Sequence, residues 1–117
     1  MRVVVKPSRI HGLGLFAVDE IPWGTKIIEY RGETISDAVA EARIEDGADC
    51  IFELAEGQNI DGASNGNEAR YINHDRAAPN CFVLRDDGRI WIVAGIEGVA
   101  AGEELTFDYG STFFPLD

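Results

Sequence analysis

The chain has 117 residues, 45% hydrophobic and 26% charged, the profile of one small folded domain rather than a disordered or multi-domain chain. Ten basic against 21 acidic residues leave a formal net charge of −11. That balance argues against direct nucleic-acid binding, which runs on Lys and Arg, and for a basic partner or substrate. No apolar run approaches the ~20 residues of a membrane helix, and the first residues do not read as a signal peptide. Cys50 and Cys81 are scattered and form no CxxC. Neither a disulfide framework nor a metal site is expected from them, and a reduced, intracellular setting is.

In chain order, residues 2–6, 15–18 and 26–30 are rich in Val, Ile, Phe and Tyr and read as short strands. Pro22-Trp23-Gly24 is a turn. Ser36 caps a short helix over 37–45, and Gly47 ends it. Residues 50–54 and 59–61 read as strands. Residues 82–85 and 89–93 flank Asp86-Asp87-Gly88, a hairpin signal. Gly98 and Gly102 bracket a turn before a last strand over 104–109. No long helix alternates with strands, so a Rossmann-type sheet is excluded, and a mostly β domain with short helical pieces is expected. Residues 33–61 hold nine acids, among them Asp37, Glu41 and Glu45 at helical spacing, against one base, Arg43. This stretch reads either as a solvated face or as a docking surface for a cationic peptide.

Taken singly, the polar motifs are ordinary. His11-Gly12-Leu13-Gly14 lacks the helix that a dinucleotide site needs, and a lone His74 is more often structural than catalytic. No Ser-His-Asp order, HExxH or P-loop is present. Taken together they form a pattern. Ser8 to Ala17 contains the HGLG loop, and Ile28-Glu29-Tyr30-Arg31-Gly32-Glu33 follows. Then come Gly66-Asn67-Glu68-Ala69-Arg70-Tyr71-Ile72-Asn73-His74 with Pro79-Asn80-Cys81, and last Gly102-Glu103-Glu104-Leu105-Thr106-Phe107-Asp108-Tyr109-Gly110. These four motifs, in this order, closely resemble those of SET-domain protein-lysine methyltransferases, and they cover nearly the whole chain.

The resemblance implies a single SET domain over 1–117, built of small curved sheets in a β-clip fold. Its C-terminal pseudoknot threads the last strand beneath a loop near 73–81. It implies methyl transfer from S-adenosylmethionine to a lysine amine of a basic protein, histone or histone-like, in chromatin or its equivalent. His11, Gly12, Leu13, Gly14, Arg70, Asn73 and His74 would hold the cofactor, with His74 at the adenine edge. Tyr109 would be catalytic and touch the cofactor. Tyr30 would line the lysine channel and share in catalysis. Phe107 would line the same channel, and Phe at this position implies di- or trimethylation. A module of the same fold that binds a basic peptide without activity is the alternative, and a non-protein amine is a further one.

Two departures from the pattern stand out. The 73–81 loop is one residue longer than the common form, with Asp75 in place of Ser, and the extra residue is expected in a bulge over 76–78. The tail, Ser111 to Asp117, has no cysteine where many relatives carry a zinc-binding segment, so no zinc is expected. Phe113 and Phe114 read either as an apolar lid or as packing at the domain edge. A homodimer in which a second copy closes the channel is a further expectation. The sequence names neither the protein nor the lysine that would be methylated.

Overall fold

The computed structural model describes residues 2–75 and 77–108, and the backbone of 113–114. Four small sheets make up the architecture. Strands β1 (Val3–Pro7) and β2 (Leu13–Ala17) form an antiparallel ribbon. Strands β4 (Glu33–Ile35), β5 (Ile51–Ala55) and β6 (Gln58–Asp61) form a three-stranded sheet in the order β4-β6-β5. Strands β3 (Lys26–Glu29), β8 (Cys81–Asp86), β9 (Arg89–Ala94) and β11 (Phe113–Phe114) form a four-stranded sheet in the order β11-β8-β9-β3. Two-residue strands β7 (Asn73–His74) and β10 (Thr106–Phe107) pair in parallel.

Local signals set much of this. Arg89 pairs with Asp86 across a two-residue turn in which Asp87 and Gly88 both have positive φ, 53° and 73°. That is the backbone a tight hairpin needs, since its twist matches that of the strands. Helix α1 (Asp37–Glu45) starts at Ser36, whose Oγ accepts the Val39 N–H. A cap of this kind is worth about 1 kcal/mol. The helix buries only Ala40, against Ile35 and Ile51. Polar ties do the rest of the anchoring. Arg43 Nη1 lies 2.8 Å from both Glu33 and Asp61, and Asn59 Nδ2 donates to Asp37 at 2.8 Å.

The main core gathers Leu15, Ile21, Val83, Ile90, Ile92, Val99 and Leu105, all fully buried. Each such side chain contributes roughly 1.5–3 kcal/mol through burial. Cys81 lies in this core, and burial pushes its thiol up to about 12.

The last strand differs from expectation. The described part of 104–109 is divided among partners. Glu104 bridges Phe16, Leu105 N donates to Leu15 O at 2.7 Å, and only Thr106–Phe107 form a strand, beside β7. No single neighbour runs alongside, so no long strand forms. Both ends of the 73–81 loop hold this segment. Asp75 N donates to Phe107 O, Asn80 Nδ2 donates to Glu104 O, and Thr106 N donates to Asn80 Oδ1. Strands β4, β7 and β11 and a 3-10 turn at Glu68–Tyr71 escape the sequence reading, being four residues or fewer. No helix among the described residues is long and apolar enough to cross a membrane.

Candidate active site

A cleft of about 580 Å³ opens where the 8–14 loop, β7 and β10 meet the three-stranded sheet. His11, Gly12, Leu13, Tyr30, Arg70, Asn73, His74 and Phe107 all line it. Residues 62 and more positions apart in sequence thus meet, as the four motifs require. Tyr109 lies outside the described residues. Gly14 does not line the cleft. It packs on Glu104, where a Cβ would run into the carboxylate.

One end of the cleft is polar and made largely of backbone. Gly12 has φ +50°, a left-handed conformation that glycine adopts without strain. The loop closes on itself through Ser8 N donating to Gly12 O at 2.8 Å. Asn73 Nδ2 lies 3.2 Å from His11 O, 3.1 Å from Leu13 O and 2.9 Å from Glu104 Oε2. These three acceptors fix which way the amide points. Asn73 Oδ1 has no partner among the described residues and stands as an acceptor for a ligand's N–H.

The other end is aromatic. Tyr30 and Phe52 meet edge to face at 4.6 Å, and Phe52 meets Phe107 at 5.5 Å. All three are nearly fully buried. The Tyr30 hydroxyl donates to Cys50 O at 2.8 Å. His74 packs its ring toward Phe107 at 6.5 Å. Its side chain therefore meets the aromatic wall from the polar side.

Two side chains at the rim have settled partners. Arg70 donates to Tyr71 Oη at 2.6 Å and lies over the same ring. The Cys50 thiol is pushed up to about 11, first by burial and then by its hydrogen bond to Asp49. A thiol raised in this way is a poor nucleophile near pH 7. Of the nine acids over 33–61, Glu33 and Asp61 are taken up by Arg43 and Asp37 by Asn59. Asp49 accepts from the Cys50 thiol and Glu53 lies 4.0 Å from Arg85, while Glu41, Glu45, Asp46 and Glu56 are exposed.

Phe52, Cys50, Asp49, Ala63, Tyr71 and Ile72 complete the lining and were not singled out from sequence as site residues. Phe52 lies in β5, outside all four motifs, and its contacts with Tyr30 and Phe107 bring it to the cleft. Ser8 and Glu104 lie inside motifs, but their pairing, at 2.8 and 2.9 Å, is visible only in the fold. Asp75 Oδ1 accepts the N–H groups of Ala77 and Ala78, so the substituted residue itself shapes the bulge after β7.

The residues present fit S-adenosylmethionine. An open acceptor at Asn73 and the backbone of 11–13 suit an amino-acid arm. The His74 edge and the space beside it suit a flat ring. No residue at the polar end demands a metal.

Comparison with known proteins agrees with this geometry. The family profile described as SET domain matches residues 12–110. The H3 lysine-4 specific histone-lysine N-methyltransferase of Schizosaccharomyces pombe is 41% identical over 112 residues, 88% of this chain and 12% of that protein. Human histone-lysine N-methyltransferase 2B is 37% identical over 98% of this chain and 4% of its own length. The chain thus spans a small part of these relatives. A crystal structure of an active polycomb repressive complex 2 in the basal state contains a chain that superimposes with a TM-score of 0.81. It is 37% identical over 95% of this chain and 15% of that one. A humanized mutant of the Chaetomium thermophilum complex of the same name, bound to an inhibitor, gives 0.79 at 38% identity over 97% of this chain and 15% of that one. The motifs, the fold and the two-ended cleft lead to one assignment: this chain belongs to the SET domain family.

Proposed function

We propose that the chain, read as a single SET domain, transfers methyl groups from S-adenosylmethionine to a lysine side chain of a histone or histone-like basic protein. The product is di- or trimethyl-lysine. The observation that carries the reading is one cleft with a backbone-lined polar end and a buried aromatic end. The names of the two relatives above, both histone-lysine N-methyltransferases, support the same substrate class.

When bound, the cofactor supplies a methyl group on a positively charged sulfur. The chain's own residues do the rest. Asn73 Oδ1 and the backbone of 11–13 would hold the cofactor's amino-acid arm. His74 would border its adenine edge, and Arg70 would close the rim. Tyr30, Phe52 and Phe107 enclose the lysine stem. Free lysine titrates near 10.4 and must lose its proton before it can attack. A dry aromatic wall disfavours the ammonium and so favours the neutral amine. Holding amine and methyl in line removes much of the entropic barrier. Tyr109 carries the catalytic phenol by resemblance.

Radiolabelled methyl transfer into histone tails, basic ribosomal proteins and free lysine tests the proposal. Label on lysine of a basic protein is the expected result. Label on free lysine alone moves the activity to a small amine. No transfer, with S-adenosylhomocysteine still bound in calorimetry, leaves a binding module without activity.

A further inference from the structure

The polar end of the cleft is organised by a carboxylate that does not line it. Glu104 is pinned by its backbone: it bridges Phe16, its carbonyl accepts from Asn80 Nδ2, and the next N–H bonds to Leu15 O. Its side chain therefore has a fixed origin, and it reaches beneath the 8–14 loop. Ser8 Oγ lies 2.9 and 2.8 Å from its two oxygens, and Asn73 Nδ2 donates to Oε2 at 2.9 Å. Gly14 leaves the space the carboxylate occupies, since a Cβ there would come within 2.9 Å of Glu104 Cδ.

Two chains of hydrogen bonds run outward from Glu104. Through Ser8, whose Oγ also accepts the Ile10 N–H at 2.9 Å, it holds the start of the loop. Through Asn73, whose amide also bonds the carbonyls of His11 and Leu13, it holds the loop's end. An acceptor-only group under Asn73 draws the NH₂ side of the amide toward itself. A rotated amide would set Oδ1 against the carboxylate, two acceptors facing each other. Hydrogen bonds to an ionised carboxylate are the stronger kind.

We propose that Glu104 is the positioning residue of the cofactor end: its carboxylate fixes the Asn73 amide with Oδ1 open to the ligand and ties the 8–14 loop over it. This rests on the reading of the cleft as an S-adenosylmethionine site. Glu104 touches no ligand itself and acts through Asn73 and Ser8.

The test uses calorimetry with S-adenosylhomocysteine, steady-state kinetics and amide hydrogen exchange on the full chain. Glu104→Ala is expected to weaken S-adenosylhomocysteine by roughly tenfold or more. The KM for the peptide should stay near wild type, and amides 10–12 should exchange faster. Glu104→Gln retains one acceptor and should recover much of the affinity. Ser8→Ala, a small change at the loop's start, should give faster exchange at 10–12 with a smaller loss of affinity. It decides the question if Glu104→Ala does not fold. A merely structural role lowers thermal stability and the active fraction but leaves the Kd of folded protein unchanged. Wild-type affinity in folded Glu104→Ala, or in Ser8→Ala where Glu104→Ala does not fold, overturns the proposal. Wild-type protein that does not bind overturns the cofactor reading instead. Loop exchange then judges Glu104 alone, and unchanged exchange in its variants overturns its role too.

Discussion

Tyr30 and Gly62 share one acceptor and one space. The Tyr30 hydroxyl and the Gly62 N–H both donate to Cys50 O at 2.8 Å, and a Cβ on residue 62 would sit 2.5 Å from the Tyr30 oxygen. The ring cannot easily yield, because Phe52 meets it edge-on at 4.6 Å. Gly62→Ala should therefore cost about 1–3 kcal/mol, the usual penalty of overpacking. It should also raise the KM for a lysine peptide while leaving the cofactor's KM in place. Urea unfolding and peptide kinetics check both parts, and wild-type values in each would show the phenol is not clamped.

Tyr109→Phe should nearly abolish methyl transfer while binding of S-adenosylhomocysteine survives. The position matches the family's catalytic tyrosine. An interaction made mainly in the transition state shows in kcat rather than in affinity. Turnover close to wild type would assign Tyr109 a structural role only.

Phe107→Tyr should shift the product toward monomethyl-lysine. Phe107 is buried in the cleft wall and offers no hydroxyl to hold an amine or a water in the space a second methyl needs. Mass spectrometry after long incubation reads the distribution. Monomethyl-lysine alone from wild type, or no change in the variant, removes the argument.

Reversing Glu41 and Glu45 to Lys should raise the KM for a basic peptide several-fold at 0.1 M salt and leave the cofactor's KM unchanged. Both side chains are exposed on α1. The difference should fade toward 1 M, as the screening length falls from about 10 Å to about 3 Å. A KM insensitive to both reversal and salt would make this face merely solvated.

Glu33 should contribute stability only where it is ionised. Its hydrogen bond to Arg43, joined by one to Ser64, holds its carboxyl below the ordinary value of 4.5. A depressed carboxyl stabilises fully above that value and loses its contribution as pH falls through the folded one. Melting of wild type and Glu33→Gln should therefore differ at neutral pH, and the gap should close as pH falls below the ordinary carboxylate range. An equal gap at both would assign the effect to something other than charge.

The elements legible in the sequence are those with local causes. Ser36 and Gly47 bound α1, and the turn at Asp87-Gly88 sets the β8–β9 register, because a cap or a positive φ acts within a few residues. Tyr30, Asn73, His74 and Phe107 were legible through motifs, and the fold brings them to one cleft. Phe52 was not, because nothing about a phenylalanine in a short strand tells which neighbour it meets. Strand β7 was not, because it is two residues long and exists only through its pairing with β10. Glu104 was visible as a letter in a motif, but its meaning depends on Ser8, 96 positions away.

That separation has a consequence for how the molecule comes into being. The polar wall of the cleft joins residues far apart in the chain: Ser8 with Glu104, 96 positions on, and β7 with β10. Closing so long a loop costs entropy that grows with the logarithm of its length, and folds built on such pairings form slowly. During synthesis, most of the β sheets can pair before the 104–107 segment leaves the ribosome, whereas the binding wall cannot. The polar wall of the cleft thus closes only after the β1–β2 and β8–β9 hairpins have had the chance to pair.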